Sequence, residues 1–218
     1  MTERLPKFII TSVVRGSVQG ESHGGVYTVD FDKKKARQHI DWNTSEIDFE
    51  GRGADRGLRG ICFDDEDIYI AASDELFCYD KNFKLKNSFK NRYLKHAHEI
   101  CKMEKRIFIS STGFDSLLSF DLESKKFDWG YQLREEFNQW TGGVFDPRKP
   151  VGPRPVNDFH INMVHVDNNG IFLSGLRTEG LLYLSPKNTI ELVCELPLGT
   201  HNPKFWKNGI IFNDTASD

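Results

Sequence analysis

A unit of about 39 residues recurs along this 218-residue chain, and it limits the possible folds more than any other feature. Four short apolar runs are each preceded, seven residues earlier, by an apolar anchor residue. The anchors are Ile61, Ile100, Val164 and Pro203, at intervals of 39, 64 and 39 residues. The longer interval corresponds to one unit that carries an insertion of about 25 residues. The chain therefore repeats one structural unit several times.

Each unit contains four short β-strands. Its apolar runs are four to six residues long and are bounded by Gly, Asp, Asn and Ser, which is typical of strands. Only 134–140 has weak helical character. Four strands per 40 residues are typical of a β-propeller blade. A meandering sandwich also has many short strands, but it does not predict a fixed offset between matching ones. We expect an all-β chain that forms a β-propeller of about five four-stranded blades.

The repeat also predicts the boundaries of the units within a single domain over 1–218. We expect blades at about 7–43, 55–93, 96–133 and 158–196, a partial blade at 199–218, and an inserted upper-face loop at 132–156. The first unit corresponds to strands two to four of a blade, and the last unit to strands one and two. We therefore expect a ring that is incomplete, or one completed by another chain or by a second copy of this chain. Phenylalanine, with 17 residues, is expected to fill the faces between blades.

Composition excludes several classes of protein. The 29 basic and 32 acidic residues give a net charge of −3, so no basic surface for nucleic acid or anionic membrane is expected. No apolar run approaches the roughly 20 residues of a membrane span, and the first residues lack the apolar region of a signal peptide. The four cysteines form no CxxC pair. These features predict reduced thiols and a cytoplasmic protein.

Polar residues recur at one position of the repeat. Two residues before the anchors lie Arg59, His98, Asn162 and His201, and His160 lies four residues before Val164. Because the first strand of each blade lines the central channel, we expect these side chains at the channel mouth. Three histidines from separate blades could bind a transition metal or serve as acid–base groups. Alternatively, they are a hydrated channel lining that satisfies backbone groups.

Other candidate ligand-binding residues lie in loops expected on the same upper face. Arg56 and Arg59 could clamp an anion, or they could pair with nearby acidic residues. His23 lies in a glycine-containing loop whose backbone can approach a ligand closely. Trp140 lies in the inserted segment 132–156, which we expect to form either a lid or a loop that caps the core.

Several strings carry a resemblance to a known group. These are His98-Glu99, the run 107–112, His160-Ile161-Asn162, His201-Asn202-Pro203 and 209–215. Over roughly 55–218 the chain resembles a group of bacterial β-propeller proteins of unknown function and, more distantly, NHL and YVTN propellers. This chain has His-Ile-Asn and His-Asn-Pro where that group has His-Leu-Asn and His-Ser-Pro, and the closing blades are absent. The resemblance implies a fold more than an activity.

Together these features predict a propeller that binds a small polar molecule, anionic or sugar-like, at its upper face. His98, His160 and His201 would be catalytic groups or ligands of a divalent metal such as Zn²⁺, Mn²⁺ or Ca²⁺. With a metal, the protein would act as a lyase or hydrolase. The alternative is a non-catalytic scaffold whose loops bind other proteins.

Overall fold

The computed structural model describes residues 5–43 and 57–216, which form antiparallel β-sheets. The first sheet contains β1 (Phe8–Val13), β2 (Gly24–Asp30) and β3 (Lys35–Asp41). The second contains β4 (Ile61–Asp64), β5 (Asp67–Ala72), β6 (Glu75–Asp80) and β7 (Leu85–Lys90). The third contains β8 (Ala97–Met103), β9 (Arg106–Ser111), β10 (Ser116–Asp121), β11 (Lys126–Glu136) and β12 (Gln139–Phe145). The fourth contains β13 (Ile161–Asp167), β14 (Gly170–Gly175), β15 (Gly180–Leu184) and β16 (Ile190–Glu195), and the fifth contains β17 (Thr200–Trp206) and β18 (Gly209–Asp214).

Strands that follow each other in sequence are neighbours in each sheet, which is the order of a propeller blade. The innermost strands β4, β8, β13 and β17 contact one another in succession. The all-β class and the propeller arrangement are therefore confirmed. Among the described residues there are four blades of three to five strands, and the fifth unit is a two-stranded hairpin, so a count of about five blades is not confirmed.

Aromatic side chains fill the space between blades, as the phenylalanine count predicts. The ring of Phe120 lies 4.7 Å from Phe89, 5.0 Å from Phe127 and 6.3 Å from Tyr69, measured between centroids. Phe120 and Tyr69 are completely buried, although they come from different sheets. Burial of such a side chain stabilises the fold by about 1.5–3 kcal/mol, so these contacts hold neighbouring blades together.

The segment predicted as an inserted loop, 132–156, is partly a β-hairpin. β11 extends to residue 136 and pairs with β12, which adds a fifth strand to the third sheet. Phe137 and Asn138 both have positive φ, 53° and 59°, and form the turn between them, so the helical turn predicted at 134–140 is wrong. The following residues are tied to an earlier loop, since the hydroxyl of Tyr93 donates a hydrogen bond to the carbonyl of Lys149 at 3.0 Å.

Three of the four inner strands begin with an irregular pairing register. The pairing register shifts between Ala97 and Ile100 in β8, between Ile161 and Met163 in β13, and between His201 and Lys204 in β17. Such bulges re-aim side chains and are common beside functional sites. In the described ranges the only helical segment is the 3₁₀ turn Thr112–Phe114, so no helix there is long and apolar enough to cross a membrane.

Candidate functional site

Three inner strands bring His98, His160 and His201 together. His98 lies in β8, His201 lies in β17, and His160 immediately precedes β13. The ring centroid of His98 lies 5.2 Å from that of His160 and 5.6 Å from that of His201. One ring nitrogen from each residue lies within 4.8 Å of the other two. The convergence that the repeat predicts is therefore present.

The ring of His98 is oriented by two oxygen atoms. Its Nδ1 lies 2.8 Å from the carbonyl oxygen of His96 and 2.8 Å from Oγ1 of Thr112. Since a carbonyl can only accept, Nδ1 carries the proton and Nε2 is left as the free lone-pair donor. The Thr112 hydroxyl donates to the carbonyl of Ile161 at 2.6 Å, which links this ring to the entry of the next blade.

The backbone around His160 is held by a buried carboxylate. Asp115 Oδ2 accepts the N–H groups of Asp158 at 2.6 Å and Phe159 at 3.1 Å, and Oδ1 accepts that of Ile161 at 3.4 Å. The Nδ1 of His160 lies 3.2 Å from Oδ1 of Asn157. An amide oxygen is an acceptor, so Nδ1 of His160 carries the proton in this contact and Nε2 keeps its lone pair.

His201 is positioned by Asn162 on the neighbouring strand. Asn162 is completely buried, its Nδ2 donates to the carbonyl of Thr200 at 3.4 Å, and its Oδ1 accepts the N–H of Asn202 at 3.2 Å. These contacts lie on either side of His201. Asn162 does not line the cavity in the described structure, and its role in ligand binding stays a prediction. Its side chain lies against the backbone of β17 instead.

The surroundings of the three imidazoles lower their pKa values and favour the neutral form. Burial lowers the pKa of His98 to about 2, with further lowering by the Arg59 guanidinium and the other two rings. Burial lowers the pKa of His160 to about 4, assisted by His201, Arg177 and Arg59. Burial also lowers the pKa of His201, with Arg59 and Arg15 acting in the same direction. Neutral imidazole is the form that binds metals.

These rings face a cavity of about 460 Å³, the histidine cavity. Its other polar walls are Arg15, Arg59, His96, Asn157 and Thr215. Arg15 belongs to the loop between β1 and β2, and Thr215 follows β18, so the first and last units both reach this site. Arg59 lines the cavity as predicted, in the segment that leads into β4.

Two other predicted ligand-binding residues, His23 and Trp140, do not line the histidine cavity in the part of the chain that the structure describes. His23 is completely buried, and its Nδ1 makes a hydrogen bond with Ser17 inside the loop between β1 and β2. Trp140 lies on β12, where its ring packs 5.1 Å from that of Phe159, so the expected lid does not reach the cavity. Arg56 lies outside the described residues.

Two residues that line this cavity, His96 and Arg15, were not predicted from the sequence. His96 lies four residues before Ile100, which is the offset of His160 from Val164. Both histidines have positive φ, 53° and 56°, and Gly199 at the same offset has φ of 88°. This shared offset was a usable signal for His96. Arg15 had no such signal, because its position depends on how one long loop folds over other blades.

The chain resembles solved β-propellers in fold. Its sequence matches no protein-family model and no curated protein. The WD40 β-propeller domain of Doa1 is 12% identical with a TM-score of 0.51, and the match covers 88% of this chain and 57% of that one. The glutaminyl cyclase of Myxococcus xanthus is 13% identical with a TM-score of 0.41, over 86% of this chain and 78% of that one. A chain of the nidogen/laminin complex is 9% identical with a TM-score of 0.47, over 96% and 86%.

At these identities the likeness extends to the fold alone, because propellers with one architecture carry unrelated functions. The fold implied by the sequence resemblance is confirmed. The bacterial family of unknown function, and the NHL and YVTN propellers, are not confirmed as relatives.

Proposed function

We propose that His98, His160 and His201 bind one divalent transition-metal ion at the histidine cavity, and that the metal acts on a small polar molecule. The observation that carries this proposal is the meeting of three ring nitrogens within 4.8 Å, each from a different inner strand or its entry. The lowered pKa values of the three rings support it further, because a neutral imidazole has no proton to displace when the metal binds.

The donor set favours zinc over the other cations considered. Imidazole nitrogens suit Zn²⁺, whereas Ca²⁺ takes oxygen ligands and Mn²⁺ prefers them. The Nδ1 contacts of His98 and His160 are of the kind that orient metal ligands from outside the coordination sphere. Tetrahedral zinc with bonds of about 2.0–2.1 Å needs nitrogens about 3.3 Å apart. Metal binding should therefore draw the half-buried rings of His160 and His201 inward.

Three protein ligands leave one coordination position for water or substrate, which is the arrangement of catalytic zinc sites. A metal at this position would polarise a bound oxygen and favour lyase or hydrolase chemistry. His96 would supply a further imidazole for proton transfer within the same cavity. The proposed substrate is the small anionic or sugar-like molecule that the sequence predicts.

Metal titration of site and control variants tests the proposal. We expect the chelator-treated protein to bind one Zn²⁺ per chain by isothermal titration calorimetry, and His98→Gln and His201→Gln to weaken that binding at least 100-fold. The matched control is His165→Gln, because His165 lies on β13 with its ring 5.1 Å from Phe205, outside the cavity. Equal zinc affinity in all four proteins, or no zinc binding at all, would contradict the proposal and favour the non-catalytic scaffold.

We also propose that the protein is cytoplasmic and that it associates with a second copy or another chain. The four cysteines are free thiols, which suits a reducing compartment. β1 and β18 expose apolar side chains, among them Ile10 (44% exposed) and Ile211 (54% exposed), which favours association. Light scattering after size-exclusion chromatography tests association with a second copy, and a monomer at all concentrations would contradict that alternative.

A further inference from the structure

A second cavity, of about 520 Å³, lies between the third and fourth blades. The third blade lines it with residues of β9, β10 and β11, and the fourth with residues of β14, β15 and the turn that follows β15. Arg106 on its wall pairs with Met103, at the far end of β8 from His98. His98 and Met103 are five residues apart along the strand, which corresponds to roughly 16 Å. This cavity, the interblade cleft, is therefore separate from the histidine cavity.

A short side chain between two aromatic ones shapes the cleft. Ser119 on β10 pairs with Phe108 on β9 and with Trp129 on β11, so the three side chains lie in one row on the same face of the blade. The partly buried rings of Phe108 and Trp129 lie with their centroids 6.2 Å apart. Ile171 and Leu184 supply apolar groups from the fourth blade. The cleft therefore has an aromatic wall that faces an aliphatic one.

The polar groups of the cleft are fixed by hydrogen bonds. The two Nη atoms of Arg106 donate to the two carboxylate oxygens of Asp128, at 2.6 and 2.7 Å, and Nη1 also donates to the hydroxyl of Ser119 at 2.9 Å. Ser119 is 1% exposed, so it anchors the guanidinium from inside the blade. A bidentate pair has a defined geometry. A carboxylate has about four lone-pair sites, so Asp128 can still accept hydrogen bonds from a ligand.

The charges of the cleft favour a neutral ligand. Among its described lining residues Arg106 is the only cation, and it is paired with Asp128 and lies 3.8 Å from Asp121. An anion would therefore meet carboxylates without a spare cation. The side-chain amide of Asn188, in the turn between β15 and β16, both donates and accepts. Acceptors and donors on one rim suit hydroxyl groups, which also do both.

We propose that the interblade cleft binds a neutral sugar, with the C–H face of a pyranose ring on Trp129 and its hydroxyl groups bonded to Asp128 and Asn188. The face of an aromatic ring is partially negative and attracts the weakly positive C–H groups of such a ring. The volume is within the range of small-molecule sites, and an apolar lining with a few fixed polar groups is typical of them. This site does not depend on the proposed metal centre.

A planar aromatic molecule is the main competitor for the same walls. Indole, for example, packs on Trp129 equally well but offers one N–H to the oxygens of Asp128. Oxygens that lose their water without gaining a donor cost free energy. A polyhydroxylated ring replaces that water and should therefore bind more tightly than indole.

Isothermal titration calorimetry with simple probes tests the proposal. Methyl glycosides of glucose, galactose and mannose are titrated separately into the protein, and indole is the non-sugar probe. We expect at least one glycoside to bind more tightly than indole. Trp129→Leu should weaken that glycoside at least ten-fold.

A second variant keeps the test decisive if Trp129→Leu does not fold. Asn188 is exposed and has φ of 62°, a conformation that glycine adopts freely, so Asn188→Gly removes the amide and preserves the turn. It should weaken the glycoside about three-fold. Lys34→Gly is the matched control, because Lys34 is exposed with φ of 50° in the turn between β2 and β3, away from the cleft. It should leave the affinity unchanged.

His98→Gln separates this site from the histidine cavity. It should bind the glycoside as tightly as the wild type, whether or not zinc binds. Loss of glycoside affinity in His98→Gln would overturn the cleft as the sugar site and leave the metal proposal standing. Binding of indole alone, or of no probe, would overturn the sugar proposal. A glycoside affinity equal to the wild type in Asn188→Gly, and in Trp129→Leu where it folds, would also overturn it.

Discussion

Replacement of Asp115 by asparagine tests how the structure holds His160 in place. Asp115 is completely buried, and its carboxylate accepts three backbone N–H groups from the residues around His160, at 2.6, 3.1 and 3.4 Å. It also has a positive φ of 44°, a conformation that asparagine tolerates as well as aspartate does. The substitution therefore changes the hydrogen bonds and leaves shape and backbone preference nearly constant.

The expected loss of stability in Asp115→Asn follows from those three hydrogen bonds. A hydrogen bond to a charged group contributes about 1.5–3 kcal/mol, and a buried donor left without an acceptor costs about 1–3 kcal/mol. Burial raises the pKa of the Asp115 carboxyl more than the backbone N–H groups lower it, so desolvation of the carboxylate offsets the gain from these bonds, and the main cost of the substitution is the buried N–H groups left without an acceptor. We expect the free energy of unfolding to fall by about 3 kcal/mol. For a domain of this size, the melting temperature should fall by roughly 6–12 °C.

Thermal and urea denaturation measure this loss, and zinc titration measures its effect on the site. Loss of a residue that orients a metal ligand without binding the metal itself typically weakens metal affinity 10–100-fold. Zinc binding to Asp115→Asn should therefore weaken by a factor in that range. Asp121→Asn is the matched control: Asp121 accepts the N–H of Ser124 at 2.7 Å in an exposed turn, so its loss should be much smaller. A melting temperature within 2 °C of the wild type, with unchanged zinc affinity, would refute the reasoning.

Three further predictions concern backbone space, protonation and thiol access. Gly175→Ala should lower the melting temperature more than Gly143→Ala, because a Cβ at 175 would lie 2.5 Å from the carbonyl oxygen of Phe159 and nothing lies within 4 Å at 143; equal losses would contradict this. The free energy of unfolding of the metal-free protein should fall between pH 7.5 and 5.5, since burial lowers the pKa of His98 to about 2 and only the unfolded chain takes up a proton. For this residue the loss is about 1.4 kcal/mol at pH 5.5, and it should be absent in His98→Gln. Burial raises the pKa of the Cys62 thiol to about 12, so native Cys62 should resist a disulfide reagent that labels the unfolded chain; rapid native labelling would contradict its burial.

The repeat predicted the propeller and the meeting of the histidines because both depend on a local period. Residues at the same position of successive blades lie at the same level along the central channel. His98 and His201 both lie two residues before an anchor, Ile100 and Pro203, and this shared offset was enough to predict that they meet. The same rule, applied one step further, would have included His96 with His160.

The structure places three side chains by contacts that a local sequence period does not encode. Asn162 shares the offset of His98, but its side chain makes hydrogen bonds with the backbone of β17 on both sides of His201. Trp140 was expected in a lid because 132–156 was interpreted as one long inserted loop, whereas β11 and β12 form a hairpin whose turn at Phe137 and Asn138 contains no glycine to mark it. The place of Arg15 depends on contacts between distant units, which a local pattern does not encode.

The zinc K-edge X-ray absorption spectrum of the protein with one equivalent of Zn²⁺ tests the central claim most directly. It counts the ligands and identifies their atoms. We expect three imidazole nitrogens at about 2.0–2.1 Å, with the remaining position filled by oxygen. A spectrum with sulfur from the cysteines, or with oxygen ligands alone, would contradict a metal site built from His98, His160 and His201.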